Sequence, residues 1–115
     1  MIILQNNYIV VGFSEINGSI TLLKDKKHDI TYINCKEYEP FRITTKEITY
    51  NKMDKFTYKY QKEKSFVRFD WLIMDGLSFY AKVELNPTND EIGEIVFTSG
   101  LKVEIQSHRF HHLLD

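Results

Sequence analysis

The stretch Leu77-Ser78-Phe79-Tyr80-Ala81-Lys82-Val83-Glu84-Leu85 decides the fold class. Leu77, Phe79, Ala81, Val83 and Leu85 fall on one phase of a two-residue period, and Ser78, Tyr80, Lys82 and Glu84 fall on the other. That period belongs to a β-strand with one buried and one wet face. Asp75-Gly76 stands immediately before it and is a strong short hairpin signal, expected to form a type I′ turn. The preceding run, Phe66 to Met74, therefore pairs with it. Val67, Phe69, Trp71 and Ile73 give that run an apolar face, while Phe66, Leu72 and Met74 lie on its other face. It reads as a central strand covered on both faces over part of its length.

The same pattern recurs outward in both directions. Phe56, Tyr58 and Tyr60 alternate with Lys55, Thr57, Lys59 and Gln61, and Leu101, Val103 and Ile105 alternate with Lys102, Glu104 and Gln106. Asn17-Gly18 repeats the two-residue hairpin signal, and the polar connectors 24–28, 51–54 and 62–65 have hairpin length. Strands are expected near 2–4, 8–16, 19–24, 29–34, 42–50, 55–61, 66–74, 77–85, 92–99 and 101–106, merging to about eight or nine, with Gly100 as a turn or bulge. Composition agrees. Ile, Val and Thr number 13, 6 and 8, and Phe, Tyr and Trp 8, 7 and 1, against a single Ala, so residues that suit a pleated surface dominate. The expectation is one all-β domain over 1–115, an antiparallel meander closed as a small barrel or folded as a sandwich. A short C-terminal turn or helix would carry Phe110, Leu113 and Leu114 onto the sheet. Phe69, Trp71, Leu77, Phe79, Val83, Val103 and Ile105 are its expected core.

The 115 residues carry 15 Lys and Arg against 16 Asp and Glu. This balance fits neither a wholesale nucleic-acid neutraliser nor an acidic mimic. No stretch approaches eighteen apolar residues, and the start lacks a basic and apolar leader, so a cytoplasmic protein with no membrane span is expected. The lone cysteine, Cys35, excludes an intrachain disulfide and reads as a small, partly buried thiol; a hairpin could still bring His28 to it as a base. Five scattered glycines contain neither a Walker loop nor a dinucleotide fingerprint. His108, His111 and His112 stand at helical spacing for a metal but lack a third ligand, so no metal and no cofactor is expected. Asp70 is the one candidate acid or base, a carboxylate beside Phe69, Trp71 and Leu72. Its simpler reading is an ion pair with Arg68.

Charge is segregated along the chain. Lys52 to Arg68 carries six cations against Asp54 and Glu63, and Phe69 to Glu104 carries seven carboxylates against Lys82 and Lys102. In the basic section Lys55 and Lys59 take the phase opposite Phe56, Tyr58 and Tyr60. A single-strand platform needs both kinds on one face, so the pattern disfavours nucleic acid. These features favour a small non-enzymatic protein that occupies a macromolecular partner stoichiometrically, of the toxin-immunity or phage-inhibitor type. Glu84, Asp90, Glu91, Glu94 and Glu104 would form its face toward a basic protein. A barrel carrying a small apolar ligand among Phe69, Trp71, Phe79 and Phe97 is one alternative, and an enzyme built on Asp70 is another.

Overall fold

The computed structural model describes residues 1–85 and 95–103. It is all-β and antiparallel, with ten strands in three sheets among the described residues. The first sheet is β1 (Ile2–Gln5), β2 (Ile9–Phe13), β3 (Ile20–Asp25) and β4 (Ile30–Asn34), in chain order. The second is β7 (Lys55–Gln61), β8 (Phe66–Met74), β9 (Leu77–Leu85) and β10 (Ile95–Val103), again as consecutive neighbours. Between them β5 (Ile43–Thr44) and β6 (Thr49–Tyr50) form a small separate hairpin.

Both four-stranded sheets are open, and no barrel closes among the described residues. Instead, each sheet turns its apolar phase to one shared core. Ile2, Leu4, Val11 and Phe13 come from the first sheet, and Val67, Phe69, Trp71, Ile73, Leu77, Val83 and Leu85 from the second. The Phe13 and Phe69 rings meet at 5.0 Å between centroids. Two hydrogen bonds also cross between the sheets. Trp71 Nε1 donates to the Asn17 carbonyl at 2.7 Å, and the Tyr60 hydroxyl donates to the Ile3 carbonyl at 2.6 Å. The second supplies a partner to a carbonyl on edge strand β1, one way of blunting an open edge.

Several expectations need correction. The run 42–50 is not one strand: Thr45 Oγ1 accepts from the Ile48 amide, and the Thr45 amide donates to the Ile48 carbonyl, so a tight turn divides it. Of the stretches 92–99 and 101–106, the described residues lie in the single strand β10, because Gly100 pairs with Tyr80 inside the ladder and neither turns nor bulges the chain. β8 is central in its sheet; its core phase is buried, and on its other face Phe66, Arg68 and Asp70 are half-buried while Leu72 is 37% exposed. The Asp75–Gly76 connection has positive φ at Gly76 alone (83°), so it is not type I′, which requires it at both positions. The register shift between Leu72 and Met74 accommodates this turn. β2 ends at Phe13 rather than Ile16, and its hairpin closes over Ser14–Ser19. Phe79 and Val103 are half-buried rather than fully buried. Phe41 joins the core from an irregular segment, with its ring 5.8 Å from Trp71 and 6.0 Å from Phe79. The expected C-terminal turn and Ile105 lie outside the described residues.

Candidate functional site

Pairing register decides which side chains share a face. Residues directly opposite in an antiparallel ladder point the same way. Across β7, β8, β9 and β10 the positions opposite the core phase form four rows: Lys55, Leu72, Ser78, Lys102; Thr57, Asp70, Tyr80, Gly100; Lys59, Arg68, Lys82, Thr98; and Gln61, Phe66, Glu84, Val96. Among the described residues this outer face carries five cations and two carboxylates. Its third row sets three cations side by side on adjoining strands, about 10 Å from first to last. Like charges directly opposite one another destabilise a sheet.

At the centre of the face Gly100, Tyr80 and Arg68 form a stack, flanked by Lys82 and Asp70. Tyr80 lies across Gly100, where a Cβ would stand 2.5 Å from Tyr80 Cε1 and 2.8 Å from both Cζ and Oη. A side chain here would displace the ring from this position. The Arg68 guanidinium packs over Tyr80 at 4.7 Å from its centroid, and Lys82 Nζ lies 5.8 Å from the same ring. Arg68 Nε donates to Asp70 Oδ2 at 2.9 Å and Nη2 to Asp70 Oδ1 at 3.0 Å. This two-point hydrogen bond with Asp70 raises the guanidinium above its ordinary pKa, so it is always charged. The fork fixes the plane of the arginine and consumes two of its five donors, leaving three to face solvent.

Asp70 is therefore an ion-pair partner of Arg68, with 43% of its side chain exposed, and not a carboxylate sealed in apolar surroundings. An exposed pair contributes little, so Asp70→Asn is expected to lower stability by at most about 1 kcal/mol, read from the urea midpoint. Of the expected acidic face, Glu84 is exposed on this outer face, opposite Phe66 and Val96. Asp90, Glu91, Glu94 and Glu104 lie outside the described residues, as do His108, His111 and His112. Among the described residues, Lys55, Lys59, Arg68 and Asp70 of β7 and β8 share one face of one sheet with Lys82, Glu84 and Lys102 of β9 and β10.

The remaining candidates separate. Cys35 is exposed, not partly buried, with Sγ 3.8 Å from the Ile20 carbonyl. His28 sits in the β3–β4 turn, at the other end of β4, and its Nδ1 lies 2.8 Å from Asp25 Oδ2. The hairpin thus holds thiol and imidazole apart by the length of a strand. Cys35→Ser should leave the urea midpoint nearly unchanged. Among the described residues no group of three His, Cys, Asp or Glu side chains gathers to hold a metal ion, and no helix is long and apolar enough to cross a membrane.

Phe69, Trp71, Phe79 and Phe97 do come together, with Phe13, around a cleft of about 210 Å³. That is smaller than the roughly 300–1,000 Å³ of ordinary ligand pockets. Phe97 at its edge is 54% exposed. Comparison with protein-family models, with curated proteins and with solved structures finds no match.

Proposed function

We propose that the chain is a two-layer β-sandwich that acts by stoichiometric binding of an anionic macromolecule on the outer face of its second sheet. One observation carries this reading: Lys59, Arg68 and Lys82 stand in register on three adjoining strands. A fold gains nothing from a row of like charges, and a position that breaks a local rule is where function is expected. The partner's charge is opposite to that expected from the acidic section of the sequence. Glu84 is the one expected interface residue on the described face, where it stands between Phe66 and Val96 in the row next to Lys82. A face of this kind steers an oppositely charged partner and fixes its register more than it adds raw affinity.

The reading is tested by retention of the full chain on immobilised heparin, used as a plain polyanion. The wild type should be retained at low salt and released as salt rises. Lys59→Glu/Lys82→Glu should flow through. Lys36→Glu/Lys46→Glu makes the same change in net charge at exposed positions away from this face, and should elute with the wild type. Equal losses in the two variants would reduce the effect to net charge and overturn the site.

A further inference from the structure

The outer face holds more than charge, and its arrangement names a class of partner. We propose that the Lys59–Arg68–Lys82 row binds the phosphodiester backbone of single-stranded nucleic acid, with the Arg68 guanidinium, stacked on Tyr80, receiving a base. The inference rests on the binding face proposed above and identifies what that face takes.

Three observations support it. First, the cations share one face with an aromatic ring, which β7 alone does not provide: Tyr80 is half-buried against Gly100 and carries the Arg68 guanidinium over it, a planar cation in place of the bare ring of a single-strand platform. On β7 Phe56, Tyr58 and Tyr60 take the core phase, opposite Lys55 and Lys59. Tyr80 on β9 supplies the aromatic that the basic strand lacks. Second, the stack is prepared in advance. Gly100 lets the ring lie down, the ring supports the guanidinium, and Asp70 fixes its plane while 36% of the Arg68 side chain stays exposed. Bases stack on guanidinium planes as they do on aromatic rings. An acidic protein surface would use the charges of this face and leave the stack without a purpose. Third, size argues against a duplex. Four strands span about 14 Å between the outer strand axes before side chains are added, and a major groove about 12 Å wide admits a two-stranded ribbon. Thr57 and Thr98 add hydroxyl donors in the same two central rows.

The test is fluorescence anisotropy of the full chain with a labelled twelve-nucleotide oligo-dT, titrated across salt concentrations. Unlabelled polyglutamate, heparin and a twelve-base-pair duplex serve as competitors. Oligo-dT should bind, compete better than polyglutamate of equal charge and better than the duplex, and weaken linearly in log salt. Lys59→Gln/Lys82→Gln should flatten that slope by about 1.4, the share of two single-strand phosphate contacts. These substitutions remove like-charge neighbours from an exposed face, so they do not threaten the fold. Arg68→Lys keeps the charge and loses the planar stack, so affinity should fall about tenfold with the slope unchanged. Binding of polyglutamate as tight as oligo-dT, or indifference to Arg68→Lys, overturns the nucleic-acid assignment and leaves the anionic face standing. If oligo-dT, heparin and polyglutamate all fail to bind, both readings fall.

Discussion

Trp71→Ala is expected to cost the domain roughly 3–5 kcal/mol, the range for truncating a large aromatic in a core. Trp71 is 3% exposed and is the hub of the aromatic cluster. Its ring lies 5.8 Å from Phe41, 5.8 Å from Phe56, 5.7 Å from Phe69 and 5.5 Å from Phe79. These partners arrive from β7, β8, β9 and the segment before β5, so they cannot all close on the vacated volume together. The substitution also removes the donor to the Asn17 carbonyl, one of the hydrogen bonds joining the two sheets. Urea unfolding followed by far-UV circular dichroism measures the loss. In the wild type the emission of this single tryptophan should be that of an indole away from water. A loss near 1 kcal/mol would mean that the sheets repack around a smaller hub, and the described core would be wrong.

The alternation of Leu77–Leu85 and the apolar phase of Phe66–Met74 made the all-β class and the central hairpin legible. Both depend on local periodicity, which a single sequence carries in full. The candidate face needed one step more. Counting outward from Asp75–Gly76 sets Leu72 against Phe79, and only the one-residue shift between Leu72 and Met74, which brings both apolar phases to one side, pairs Leu72 with Ser78, Asp70 with Tyr80 and Arg68 with Lys82. Charge summed along the chain does not show this face, because the meander brings Lys59 and Arg68 beside Lys82, a cation of the section whose sequence is net acidic. Other features were not legible because no local signal encodes them. Phe41 sits in an irregular segment and is buried only because Trp71 and Phe79 meet there. Gly100 resembles a breaker in sequence, yet it pairs with Tyr80 inside β10, and the ring of that residue twenty positions away lies across it.

Gly18→Ala is the second large effect, expected at about 2–4 kcal/mol from two separate costs. Gly18 has φ of +78°, a left-handed conformation that costs a residue with a Cβ about 1–2 kcal/mol. The rest is steric. A Cβ here would stand 2.9 Å from Trp71 Cζ2, and 3.1 and 3.2 Å from Phe56 Cε1 and Cζ. Neither ring is free to yield. They are packed against each other, and the indole is tethered to the carbonyl of Asn17, the residue before this glycine. The loop from Ser14 to Ser19 has little freedom to withdraw, since the Ser14 amide donates to the Ser19 carbonyl and the Gly18 amide to the Ser14 carbonyl, both at 2.9 Å. The two costs are separable by a double-mutant cycle with Phe56→Leu, read from urea midpoints. With the Phe56 ring gone, Trp71 can shift toward its place, and Gly18→Ala should cost only the backbone share. An unchanged cost in that background would show that conformation alone disfavours alanine and that the turn does not press on the aromatic cluster. A cost below about 0.5 kcal/mol in the wild type, within the range of ordinary surface substitutions, would show that the turn is not seated on the core at all.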